Sequence, residues 1–137
     1  METLRVIYVE PGREARAIEI RDDLNEMQAL VGGHIEEYMP FDDEVALICN
    51  EEGKITGLPL NRGIENENGQ LIEIIAGPFF IAYAPLESEE FLSLPAELEE
   101  KYKEKFRRPE RFFKTPAGIK AVKYEPAEPN EKTQLSR

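Results

Sequence analysis

The stretch "LIEIIAGPFFIAYA", residues 71–84, constrains the fold most, because it is the longest apolar run in the chain. β-Branched and aromatic residues fill it, and Gly77-Pro78 divides it, so it reads as extended chain with a bend or bulge at the middle. A second run, "VALICN" (45–50), is nearly continuous in apolar character and β-branched at Val45 and Ile48. That pattern predicts a central strand. Two such runs commit the chain to a sheet.

The flanking segments supply its neighbours. "LRVIYVE" (4–10) is rich in β-formers and is closed by Pro11-Gly12, and "EARAIEI" (14–20) alternates, which predicts a hairpin. Asp22 or Asp23 caps a short helix, with Glu26 at capping-box distance from Asp23 and an apolar stripe of Leu24, Met27, Leu30 and Val31. Gly32-Gly33 ends that helix, since glycine accepts the left-handed conformation at a helix terminus. "HIEEYMP" (34–40) follows as a strand. "EEGK" (51–54) is expected to turn 45–50 back on the segment starting "ITGLPL", and Asn68-Gly69 marks another hairpin.

Farther on, Leu94, Leu98, Tyr102 and Phe106 recur every four residues, which predicts a longer late helix after Pro95, ended by Pro109. Glu97→Lys101, Glu99→Lys103 and Glu104→Arg108 have the spacing of supporting ion pairs. The expected fold is α+β: a mainly antiparallel sheet with a short early helix and a longer C-terminal one. One domain is expected over residues 1–113, with Phe112 and Phe113 tucked back. Residues 114–137 are expected to form a basic segment and a mobile Pro-rich tail.

The formal net charge is −11, unevenly spread. Residues 1–100 hold 23 acids and 6 bases, whereas residues 101–123 hold 9 bases and 2 acids. The chain is electrically bipolar, and its basic segment suits an anionic partner, its own acidic body or a second copy. No apolar run approaches the roughly 18 residues of a membrane span. The start, "METLRVIYVEPG", lacks the pattern of a signal peptide, so a cytoplasm is the expected location.

Several chemistries are excluded or unsupported. Cys49 is the single cysteine, so no internal disulfide forms, and its apolar setting predicts a buried, inert thiol. His34 is the single histidine, which excludes a zinc site built on two imidazoles, and no serine-histidine-aspartate set is expected around it. No glycine-rich phosphate loop joins a strand to a helix. Asp42-Asp43-Glu44 and Glu51-Glu52 are carboxylates on turns and read as solvated rather than as a metal site. No cofactor and no metal is expected.

The segment "NEEGKITGLPLNRGI" (50–64) is the remaining candidate. Pro59 fixes the backbone, with Gly57 and Gly63 free on either side, so Asn61 and Arg62 gain a defined pose. Asn61 offers donors and an acceptor, and Arg62 offers a planar fork suited to phosphate or carboxylate. Asn61 and Arg62, with Asn50, are the candidate ligand-binding residues. The structural alternative is that Asn61 caps the turn and Arg62 pairs with a nearby glutamate.

"LVGGHIE" together with "NEEGKITGLPLNR", in the order set by "GPFFIA" and "FLSLPAELEEKYKEKF", resembles the family known as domain of unknown function 3846, over residues 4–113. The resemblance implies a shared fold and a setting in bacteriophages and mobile elements, but no reaction. Three functions fit the chain. The first is a non-catalytic accessory binding protein that sequesters a small anionic or nucleotide ligand to counter host defence. The second is an acidic interaction module or DNA mimic that inhibits a host protein. The third is an enzyme with an unrecognised carboxylate site. No membrane partner and no sequence-specific DNA binding are expected; a homo-oligomer is allowed.

Overall fold

The computed structural model describes residues 2–126. Its centre is a five-stranded antiparallel sheet built from β1 (Thr3–Val9), β2 (Arg16–Arg21), β3 (Ile35–Tyr38), β4 (Val45–Asn50) and β7 (Phe79–Tyr83). The strand order is β2-β1-β7-β4-β3. The two apolar runs thus lie side by side, with Leu47 opposite Ile81 and Ile48 opposite Phe80. A strand with neighbours on both sides and cover on both faces must be apolar throughout. In β4, Val45 to Cys49 are all buried.

Alternation along the strands creates two cores. One face presents Ile7, Val9, Leu47, Phe79 and Ile81 to a layer carrying Ile64, Ile75, Tyr102 and Phe106. That layer holds the ribbon of β5 (Leu60–Glu65) and β6 (Leu71–Ala76) and the helix α2 (Ala96–Lys105). The opposite face presents Val6, Tyr8, Ala46, Ile48 and Phe80 to the one short helix α1 (Leu24–Val31), through Met27 and Val31. Each fully buried Val, Leu, Ile or Phe contributes about 1.5–3 kcal/mol. The fold is α+β with mainly antiparallel sheet, as the sequence predicts.

Several details differ from expectation. β4 does not form a hairpin with β5. It pairs with β3 and β7, and β5 pairs with β6 across the Asn68-Gly69 turn. Residues 51–57 are a succession of turns that lift the chain from the sheet to the second layer. Thr56 donates its N–H to Glu52 O and Leu58 to Gly53 O, both at 2.9 Å. At the end of α1, Gly32 takes the left-handed conformation (φ 81°), whereas Gly33 does not. Asp23 caps the helix by accepting the Glu26 N–H at 2.7 Å, but Glu26 turns to Arg21 instead of completing a capping box.

The i,i+4 pairs expected on α2 are absent among the described residues, because tertiary partners or i,i+3 neighbours such as Glu100 for Lys103 and Arg107 for Glu104 take the side chains. Glu99 accepts both forks of Arg5, and Lys101 reaches Asp43. Beyond α2 the chain folds into a further hairpin, β8 (Glu110–Thr115) and β9 (Gly118–Lys123). The expected division at 113/114 falls inside β8. Phe112 is half-buried and Phe113 is 51% exposed, so only the first of the pair tucks back. Of the expected tail, residues 127–137 lie outside the described residues.

Candidate functional site

Asn61 and Arg62 follow Pro59 into β5, where the register with β6 shifts between Leu60 and Arg62. A bulge of this kind puts one extra residue on one strand and re-aims the side chains around it. Both consecutive residues therefore turn inward: Asn61 is 1% exposed and Arg62 0%. The Asn61 amide donates to Val9 O (3.0 Å) and Gly77 O (2.9 Å), tying the ribbon to the sheet. Arg62 Nε and Nη2 donate to Phe106 O at 3.2 and 2.8 Å, and Nη2 also donates to Arg13 O at 2.6 Å. Nη1 donates to Asn61 Oδ1 at 2.9 Å and to Asn61 O at 3.4 Å.

All five guanidinium N–H groups are thus occupied, and by neutral oxygens. Arg62 makes no salt bridge among the described residues. Burial lowers its pKa to about 10, with the charge of Glu110 opposing the shift, so the group stays cationic at neutral pH. The pair neither faces solvent nor caps a turn against a glutamate. It joins three parts of the chain distant in sequence, and a ligand reaches this guanidinium only by displacing carbonyl partners.

Asn50 ends β4 and is half-buried. Its Nδ2 donates to Val31 O at 3.1 Å and its Oδ1 accepts the Glu52 N–H at 2.7 Å. A Cβ on Gly33 would stand 2.8 Å from Asn50 Nδ2, so Gly33 is required by close approach rather than by φ. The structure does not bring Asn50 together with Asn61 and Arg62 in one cavity. A cleft of about 260 Å³ beside Asn50 is lined by Glu36, Glu51, Glu52 and Glu73 with Lys54 as its one base, a setting that disfavours an anion. Cys49 lines the same cleft; burial raises its thiol pKa to about 11, so it stays protonated at neutral pH.

A larger concavity lies on the other side of the sheet. It is a groove of about 670 Å³ between the start of α1, β3 and the segment 84–91 that follows β7. Its floor is Met27, Ile35, Ala84 and Phe91, continuous with the core of that face. Its walls carry Leu24, Met39 and Leu86, which are 54%, 49% and 90% exposed. Leu86 is held outward because Pro85 O accepts the Ser88 N–H (3.0 Å) and Glu44 Oε2 accepts the Leu86 N–H (2.8 Å). Asp22, Asp23, Glu37, Glu89 and Glu90 complete the lining, which contains no lysine or arginine.

Elsewhere the titratable groups are structural. Asp43 accepts from Lys101 and from Tyr102 (Oη to Oδ2, 2.7 Å), bonds that hold its carboxyl below its usual range. Tyr102 is pushed well above the ordinary tyrosine value, first by burial and then by Asp43. Among the described residues no group of three or more His, Cys, Asp or Glu side chains is arranged to hold a metal ion. Nor is any helix there long and apolar enough to cross a membrane.

The family model described as Domain of unknown function (DUF3846) matches residues 4–107. The chain belongs to this family. The match contains both helices, the five-stranded sheet and the β5–β6 ribbon, while the β8–β9 hairpin lies beyond it. No curated protein and no solved structure matches the chain. Within the family span, "LVGGHIE" and "NEEGKITGLPLNR" meet in space: the first brings Gly33 against Asn50, and the second supplies Asn50, Asn61 and Arg62.

Sequence reasoning missed the groove. Its signal was present in "PLESEEF" (85–91), where Leu86 is an apolar residue in an acidic turn with no periodic partner. The exposure of Leu24 left a weaker trace, since it heads the apolar stripe of α1 yet lies one turn from the buried Met27.

Proposed function

We propose that the chain is a non-catalytic, acidic protein-interaction module of a bacteriophage or mobile element, working in a bacterial cytoplasm. Its groove takes a basic, apolar-anchored segment of a partner protein. The observation that carries this reading is the groove itself: an apolar floor with exposed Leu24, Met39 and Leu86, surrounded by five carboxylates and no base. An exposed apolar patch rimmed by charge is characteristic of an interaction surface. The carboxylates attract cationic segments, speed encounter and repel acidic competitors. The apolar walls supply the burial that affinity needs.

The apolar floor favours a protein segment over a purely electrostatic DNA-mimic surface. The small-anion reading has weaker support, because the Arg62 fork is occupied and the cleft at Asn50 is lined mainly by carboxylates. The test is photo-cross-linking in the bacterial host with a reactive side chain at position 86, and at position 55 as a control. Ile55 is 84% exposed and lies outside the groove. Position 86 is expected to capture a partner that Glu89→Lys/Glu90→Lys abolishes. Identical capture from both positions, or capture indifferent to the charge reversals, would remove the proposal.

A further inference from the structure

Resting on the groove reading, we infer that the β8–β9 hairpin of one copy of this chain occupies the acidic groove of another, so that copies associate head to tail.

The hairpin has two unlike faces. Register places Arg111 opposite Val122 and Phe113 opposite Lys120 on one face, and Glu110 opposite Lys123, Phe112 opposite Ala121 and Lys114 opposite Ile119 on the other. The second face packs on β5, where Glu110 Oε1 accepts the Gly63 N–H at 2.8 Å and Lys123 Nζ donates to Glu110 Oε2 at 2.9 Å. The first face is left outward, with Phe113 51% and Val122 40% exposed. Arg111 lies 4.0 Å from the centroid of the Tyr124 ring. Among the described residues no carboxylate pairs with the two cations of this face, Arg111 and Lys120. Asp23 pairs with Arg21, and no cation pairs with Asp22, Glu37, Glu89 or Glu90 among the described residues; exposed apolar side chains beside cations are what an apolar floor beside such carboxylates accepts.

Geometry decides that the contact is between copies. The groove floor belongs to the core on the α1 face of the sheet, whereas the hairpin stands on β5, in the layer over the opposite face. The sheet separates the two surfaces, so a hairpin cannot reach its own groove. Because the two surfaces lie on opposite sides of the sheet, one neighbour cannot fill both, so the contact is heterologous and generates a ring or an open chain rather than a closed twofold dimer. The hairpin also lies beyond residues 4–107, so the family span carries the groove and the added element carries its complement.

The experiment is sedimentation velocity of the full chain, nuclease-treated, over a concentration series at low and high salt. Wild type is expected to associate with rising concentration, and less so at high salt, where the charges are screened. Glu89→Lys/Glu90→Lys in the groove and Arg111→Glu/Lys120→Glu in the hairpin should each weaken association at least about a hundredfold, since like charges then face each other. Mixing the two reversed proteins should restore a complex, which damage to either fold would not do. A wild type that stays monomeric overturns the inference. So does association insensitive to either reversal, a mixture that fails to combine, or association that disappears with nuclease, which would assign the hairpin to nucleic acid. The groove reading fails separately: a monomeric protein that still captures a partner through position 86 leaves it standing.

Discussion

The two faces of the central sheet are closed by different means. Over one face lie a β-ribbon and a ten-residue helix, and polar chemistry completes the seal: Arg62 and Asn61 bind carbonyls of Val9, Arg13, Gly77 and Phe106. Over the other lies an eight-residue helix, too short to cover the sheet, and the segment 84–91 borders what it leaves open. Buried polar groups mark the face built for stability here. Uncovered apolar groups mark the face left open. The residue types alone suggest the reverse, since an arginine is the usual candidate for a ligand contact and a leucine for core.

The strongest test of this contrast is Arg62→Ala. It leaves the Arg13 and Phe106 carbonyls without their partner, at about 1–3 kcal/mol for each buried unsatisfied group, so urea unfolding should show a loss of about 2–6 kcal/mol. Arg62→Lys should recover only part, because one ammonium cannot span the fork. A loss under about 1 kcal/mol would match an exposed ion pair and break the comparison. Next is Leu98, which packs against the sealed core while only half-buried. Leu98→Ala should cost about 1–2 kcal/mol, below the range of about 2–5 for a fully buried leucine.

A smaller effect is expected at Asp43, which ties the 41–44 turn to α2. Its folded-state pKa is depressed, so the unfolded chain binds the proton more readily. Stability from this group is present above the unfolded value of about 4 and is lost as pH falls through the folded one. Asp43→Asn should therefore flatten the acid limb of a stability–pH curve, with a change of no more than about 1 kcal/mol at neutral pH. An unchanged acid limb would show that the turn is held by other contacts. Smallest is Leu86→Ala: at 90% exposure it should alter stability by less than about 0.5 kcal/mol in thermal melts while weakening partner capture. A larger destabilisation would mean that the groove is part of the core.

How far the sequence was legible depended on the range of the interactions. Continuous apolar runs identified β4 and β7, because a strand buried on both faces carries that mark in its own residues. Asp23 and Asn68-Gly69 acted locally and were readable. The partner of β4 was not, since "EEGK" suits a tight hairpin and a climbing turn equally well. The inward turn of Asn61 and Arg62 depends on a bulge opposite β6, and nothing within "LPLNR" records it. Exposure of Leu86 was legible only in part: "PLESEEF" gives it no apolar partner, but the Glu44 carboxylate that fixes its N–H lies 42 residues earlier.

The Arg62 clamp also bears on how the chain folds. Its carbonyl partners Arg13 and Phe106 stand 49 and 44 residues away, so the guanidinium finds them only after three distant segments have met. Closing loops of that length costs entropy before the contacts form. The clamp is therefore expected to form late in assembly, after the rate-limiting barrier, which φ-values at Arg62 near zero would bear out. Substitutions there should act on the rate of unfolding and leave the rate of folding nearly unchanged, which makes Arg62 a lock on the finished protein rather than a guide to it.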